Sequence, residues 1–238
     1  MGQESTRDQT GDALNTIYKS DKNDALSSEE TMSLLLAIRE KGIMDNALLN
    51  QFEATPRRMF LNVGQVQAGL SPNSSAPIAC GQVQTAPITI ATIIRALGVE
   101  PDSKVFEIGT GSGYQSAILA RLCKRLYTVD RFRTLVDEAT NRFQTLKIVN
   151  IISRIGDGEY GWGEDESFDR IVVNVAIRSI SPELLAQLKV GGIIIAPIMQ
   201  DNGVADITVH IKTESGLEAK NIGSARFLPL IPGIALSL

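Results

Sequence analysis

Histidine is almost missing from this chain: His210 stands alone among 238 residues. The two cysteines, Cys80 and Cys123, lie 43 residues apart with no CxxC pair. A structural zinc site takes about four nitrogen and sulfur ligands, so no metal is expected, and the cysteines read as two buried, reduced thiols. Basic residues are outnumbered as well. Lys and Arg total 23 against 27 Asp and Glu, a net charge of −4, with a pI near 5.2. That balance argues against a nucleic-acid partner held by phosphate neutralisation. No apolar run approaches the roughly 20 residues that span a bilayer, so no membrane partner is expected. No hydrophobic leader is visible either, so a cytoplasmic protein is expected. Gly2 and Thr6 match the short N-myristoylation pattern, but the STRDQTGD after them is a plain polar tail and predicts no lipid anchor.

What is present is the composition of an ordinary globular protein, 43% hydrophobic and 21% charged, long enough for one sizeable α/β domain and expected to be a monomer. Residues 1–26 read as a polar N-terminal tail, and 27–238 as a single domain. Within it, 27–87 hold N-terminal helices and a long loop, and 88–238 hold an α/β core. Ser27-Ser28-Glu29-Glu30 offers a capping box that predicts a helix over about 29–41. DNALLNQFEAT predicts a second short helix ending before Pro56. Residues 62–87 are small, polar and turn-forming, and a loop of that length inside a domain reads as functional.

From Ser103 the texture changes. KVFEI, RLYTVD, VNIISRI, DRIVVNV and GGIIIAPI are short, nearly continuous apolar runs. YQSAILARLCK, RTLVDEATNRFQTL and SPELLAQL between them have helical spacing. Such alternation predicts a doubly wound, mostly parallel α/β sheet covered on both faces. The tail from Asp206 reads as two alternating strands around Glu214-Ser215-Gly216, an antiparallel edge.

Gly109-Thr110-Gly111-Ser112-Gly113 follows the first of these strands and opens a helix. Its spacing is GxGxG, not the GxGxxG of dinucleotide binders. Glu107, two residues before the loop, would repel a pyrophosphate and welcome an amine. Asp130, followed by Arg131, ends the next strand 17 residues after Gly113, where an acid accepts ribose hydroxyls. The third strand leads to Gly156-Asp157-Gly158, placed to accept from an adenine amino group. Asn174 stands in the DRIVVNV run. An amine, a ribose and an adenine without phosphate describe S-adenosylmethionine.

The run EIGTGSGYQSAILA with YTVDR, GDGEYG, FDRIVVNVA, LLAQLKVGGIIIAPI and ARFLPL resembles the protein-L-isoaspartate O-methyltransferase family. Upstream, GIMDNALLNQF, TPRRMF and PIACGQVQTAP extend the resemblance over about 31–233. It implies a Rossmann-like methyltransferase sheet of seven strands and S-adenosylmethionine as cofactor. The cofactor-binding residues it implies are Glu107, Gly109, Thr110, Gly111, Ser112, Gly113, Asp130, Arg131, Asp157, Gly158 and Asn174. It also implies isoaspartyl peptides or proteins as substrate, methyl-esterified as protein repair. Family members carry GQTISQP where this chain has Gly81-Gln82-Val83-Gln84-Thr85-Ala86-Pro87. Gln82 survives, and Thr85 keeps a hydroxyl at the family's serine position, so these two are the expected catalytic residues. Ser71, Asn73 and Cys80 also depart from the family pattern.

An aspartyl-type carboxylate is ionised at neutral pH and needs no general base, which suits a chain with one histidine. Arg57 and Arg226 are candidates to steer it, and Phe227-Leu228-Pro229-Leu230 to close the acceptor cleft. Two other readings remain at this level: a related methyltransferase with a different carboxylate or small-molecule acceptor, and a cofactor-binding protein without transferase activity. GxGxG spacing and Glu107 count against a nicotinamide dehydrogenase.

Overall fold

A computed structural model of the protein describes residues 21–62, 70–163 and 166–235, with side chains from residue 28 onward. The myristoylation pattern and most of the proposed tail lie outside the described residues. The first helix, α1 (Asp21–Glu40), starts well before the expected position near 29 and crosses the proposed boundary between residues 26 and 27. Ser27 and Ser28 are therefore interior helix positions, not a cap. The second helix, α2 (Asn46–Glu53), ends before Pro56 as expected, and Asp45 caps its start: Oδ1 accepts from the Ala47 and Leu48 amides. The loop region carries two short antiparallel strands, β1 (Ala76–Pro77) and β2 (Val83–Gln84).

The next helix, α3 (Pro87–Leu97), has no counterpart among the expected elements. Its PITIATIIRAL is rich in β-branched residues, which favour strands. Two end signals override that preference. Pro87 occupies the first turn, where its missing N–H costs nothing, and Gly98 closes the helix in the left-handed region at φ 59°. The helix is apolar nearly all round because it lies between α1 and the sheet strands β6 and β7 described next.

The main sheet holds seven strands in the order β5-β4-β3-β6-β7-β8-β9. They are β3 (Lys104–Ile108), β4 (Arg125–Asp130), β5 (Ile151–Ile155), β6 (Phe168–Val173), β7 (Leu188–Met199), β8 (Ala205–Thr213) and β9 (Gly216–Ala225). β3 to β7 run parallel, and β8 and β9 form the antiparallel edge. The chain winds outward from β3 through β4 to β5, then returns to place β6 on the other side of β3. Ligands of open α/β sheets bind outside the strand C-termini at such a reversal.

The connecting helices are α4 (Tyr114–Ala120), α5 (Arg133–Thr145) and α6 (Pro182–Ala186). One sheet face buries a continuous core with residues of α1 to α5, among them Ile38, Phe52, Ile90, Tyr114 and Phe143. The other face is covered more thinly, by α6 and an aromatic group in which Phe106 stacks on Phe168 at 5.0 Å and Trp162 meets Tyr127 edge-on. Cys123 is buried, but Cys80 is only half-buried beside the loop hairpin, so the expectation of two buried thiols holds for one. Among the described residues no helix is long and apolar enough to cross a membrane.

Candidate active site

Two adjoining cavities open at the strand C-termini and share Gln82, Gly109, Asp130 and Val175 as walls. The larger, about 540 Å³, lies between the glycine loop, the 82–86 segment and the chain after β9. Its charged lining residues are Asp130 and Arg226. The smaller, about 70 Å³, is bounded by Asp130, Arg131, Asp157, Gly158 and Pro229 to Ile231. No lysine lines either cavity.

The glycine loop owes its shape to backbone conformations that side chains resist. Gly109 and Gly111 have φ of 89° and 53° and both line the larger cavity. Gly113 has φ 86°, but it faces α5: an added Cβ would meet the Phe143 ring at 2.8 Å. It shapes the turn without lining the cleft. Asp130 fastens the loop, accepting from the Gly111 amide at 2.9 Å through one oxygen and from the Phe132 amide at 3.1 Å through the other. Burial pushes its carboxyl above the usual range while these amides pull it back.

Glu107 is not a wall of either cavity. It is fully buried beneath the loop, with Ser116 and Thr128 donating to Oε2 and Asn174 donating to Oε1 over 3.0 Å. Since Thr128 gives its proton to Glu107, Thr110, 2.7 Å away, is the donor in the Thr110–Thr128 pair. Burial raises the Glu107 carboxyl to about 7 against the pull of these bonds. The expectation that it meets a ligand amine directly gives way to an indirect role through Asn174, which does line the larger cavity. A strand buried on both faces carries no sign of where an interior acid points.

Asp157 lines the smaller cavity, and both its oxygens accept backbone amides: Glu159 at 3.0 Å and Gly233 at 2.5 Å. Gly158 is obligatory, because a Cβ there would lie 2.3 Å from Ile108. Arg131 Nε donates to Gly233 O at 3.0 Å, and the Ala235 amide donates to Arg131 O at 3.0 Å. The segment expected to close the acceptor cleft therefore divides its work. Phe227 and Leu228 line the larger cavity, and Pro229 and Leu230 the smaller.

Gln82 lines both cavities, and its amide donates to Cys80 O at 3.2 Å. Thr85 lines the larger one, where its hydroxyl has no protein partner among the described residues. Asn73, Ser75 and Thr89 stand in the same chamber. Arg226 is exposed there and makes no hydrogen bond or ion pair with the described residues. Arg57, in contrast, is buried with Nε, Nη1 and Nη2 all engaged, on Gln84 and on the carbonyls of Ser71 and Ser74. It is a structural clamp and not a free guanidinium; burial lowers it to about 10. His210 sits in β8, away from both cavities.

The model of the protein-L-isoaspartate(D-aspartate) O-methyltransferase family matches residues 29–234. The chain belongs to that family. A protein-L-isoaspartate O-methyltransferase of Ruegeria sp. (strain TM1040) is 42% identical over 207 residues, covering 87% of this chain and 96% of that protein. One of Paracoccus denitrificans is 39% identical, with 89% and 98% covered. Among solved structures, a protein-L-isoaspartate O-methyltransferase at 22% identity superposes with a TM-score of 0.77 over 86% of this chain and 67% of that one. A Plasmodium falciparum structure described as a beta-aspartate methyltransferase, in complex with S-adenosyl-L-homocysteine, gives 0.72 at 21% identity, with 84% and 97% covered. The seven-stranded methyltransferase sheet expected from the family resemblance is the one observed.

Proposed function

We propose that the protein is an S-adenosylmethionine-dependent methyltransferase that esterifies the free α-carboxylate of isoaspartyl residues in damaged proteins. The observation that carries this reading is the adjacency of the two cavities, which share Gly109 and Asp130 as walls. It suits one extended ligand reaching from the acids of the sheet edge to a chamber with hydroxyls, amides and Arg226, which is unpaired among the described residues. Family membership supports the same reaction.

Asp157 and Gly158 would hold the adenine, Asp130 the ribose, and Gly109, Thr110, Gly111 and Ser112 the amino-acid end. Glu107, Asn174 and Arg131 would fix these groups from behind or from the rim, and Gly113 would set the loop's turn. The fit is chemical: carboxylates without lysine suit a cationic, phosphate-free adenosyl ligand. When bound, S-adenosylmethionine supplies the electrophilic methyl group.

The residues of the chamber need perform no proton transfer, because an aspartyl-type carboxylate is ionised at neutral pH. Their work is placement. Thr85 offers a donor to one carboxylate oxygen, Gln82 borders both partners, and Arg226 draws the anion in. Ala86, Phe227 and Leu228 exclude water, so that opposite charges approach and cancel in a dry cleft.

Residues 27–87 contribute the acceptor side of one domain and 88–238 the cofactor side. A monomer working in the cytoplasm completes the proposal, and the two free cysteines agree with a reducing compartment. The test is incubation with an isoaspartyl peptide and methyl-labelled S-adenosylmethionine: base-labile methyl ester on the peptide is expected, and its absence with cofactor bound would overturn the reading.

A further inference from the structure

The floor of the larger cavity contains a buried acceptor with nothing to accept. Gln115 is 5% exposed, lines the cavity, and has no partner for its Oε1 among the described residues. Its orientation is dictated from below. The Gly109 carbonyl can only accept, so Asn174 turns its Nδ2 toward it and toward Glu107 Oε1, each at 3.0 Å. Asn174 Oδ1 then faces Gln115, whose Nε2 donates to it over 2.8 Å. With its nitrogen committed, the Gln115 amide presents its oxygen elsewhere. A buried acceptor left unmet is costly, and native interiors keep few of them without a reason.

We propose that Gln115 recognises the α-ammonium at the amino-acid end of the cofactor, accepting a hydrogen bond from it through Oε1, with Glu107 and Asn174 as positioning residues behind. This rests on the S-adenosylmethionine reading above. Other acceptors nearby already have partners, and Asp130 is given to the ribose above. Asp130 accepts from Gly111 and Phe132 through its two oxygens, and Gly109 O receives Asn174. A cofactor with its adenosine against Asp157 and Asp130 extends past the glycine loop toward this floor. Glu107 thus acts on the ligand through the amides of Asn174 and Gln115, although its carboxyl never touches it.

Calorimetric titration of the full chain tests the assignment with two ligands. S-adenosylhomocysteine carries the ammonium; 5′-methylthioadenosine keeps the adenosine and thioether but lacks the amino acid. Gln115→Leu is expected to weaken S-adenosylhomocysteine tenfold or more while leaving 5′-methylthioadenosine within twofold, and Gln115→Met, closer in shape, is expected to do the same. Asn174→Leu should weaken S-adenosylhomocysteine in a way that does not add to Gln115→Leu. Equal losses for both ligands, an unchanged S-adenosylhomocysteine affinity in a folded variant, or fully additive losses would overturn the proposal. Failure of the unmodified protein to bind either ligand would instead overturn the cofactor reading itself.

Discussion

Arg57 and Gln84 meet side chain to side chain in the protein interior, Nε donating to Oε1 over 2.7 Å. Gln84 passes the contact on, its Nε2 donating to Ser112 Oγ at 2.9 Å and to Phe60 O at 3.2 Å. One amide therefore ties the clamp beside the larger cavity to the glycine loop. Gln84→Leu removes both halves of the bridge and leaves a buried guanidinium N–H unpaired. Unfolding free energy should fall by about 2 kcal/mol, measured by urea titration. A loss within experimental error would mean that the guanidinium re-pairs elsewhere and the bridge is dispensable.

Thr85 is the hydroxyl proposed above to orient an acceptor carboxylate, and no described residue claims it. Thr85→Val keeps the shape and deletes the donor. A hydrogen bond to a charged group is worth about 1.5–3 kcal/mol, so kcat on an isoaspartyl peptide should drop about 10- to 100-fold, with cofactor affinity unchanged. Thr85→Ser frees χ1 by removing the methyl and should retain or raise turnover. Equal kcat in all three proteins would move the orienting role to another residue.

The strands of the core were legible because burial on both faces leaves an unbroken apolar signature: KVFEI and RLYTVD coincide with β3 and β4 residue for residue. Helix α3 was illegible for the same reason, since β-branched residues dominate any fully buried segment. Its proline and glycine ends held the usable signal. The cleft acids at Asp130 and Asp157 follow from strand ends, which sequence spacing reports. Glu107 did not follow, because an interior strand residue gives no hint of which neighbours reach it. Gln115 had a signal that went unread: with Ser116 it is one of two polar residues in a seven-residue helix that is buried throughout, directly after the glycine loop.

Asp130 holds the loop and borders both cavities, so its removal should affect ligand binding first. Asp130→Ala deletes a charged acceptor for the ribose hydroxyls, a loss of roughly 1.5–3 kcal/mol. Titration should show S-adenosylhomocysteine weakened by about 10- to 100-fold. Unchanged affinity would remove Asp130 from the cofactor site.

Glu107 makes stability depend on pH in a predictable direction. Its carboxyl lies at about 7 in the fold against an ordinary 4.5, so between these values the folded protein holds a proton that the unfolded chain has released. Its contribution to stability falls as pH rises through that window, and the loss is complete above about 7. Glu107→Gln cannot titrate. Relative to wild type, its unfolding free energy should gain up to about 3 kcal/mol between pH 4.5 and 7.5, and any pH-independent cost of the amide cancels from this comparison. Parallel pH profiles would show that folding leaves the Glu107 carboxyl near its ordinary value.

Gly233 anchors the segment that lines the smaller cavity, under a specific backbone constraint. Its φ is 83°, and a Cβ there would meet nothing within 4 Å, so Gly233→Ala is penalised by conformation alone, by roughly 1–2 kcal/mol. The same residue donates to Asp157 and accepts from Arg131. It latches the segment from Pro229 onward, and Ala176 holds that segment's other end through Leu228 O and the Leu230 amide, both at 2.8 Å. Loosening the latch without touching the cavity walls should speed ligand escape more than it slows entry. Stopped-flow measurement with S-adenosylhomocysteine should give a dissociation rate several-fold above wild type and an association rate within twofold. If dissociation is unchanged, ligand exchange does not require the latch to open, and the route lies through the larger cavity.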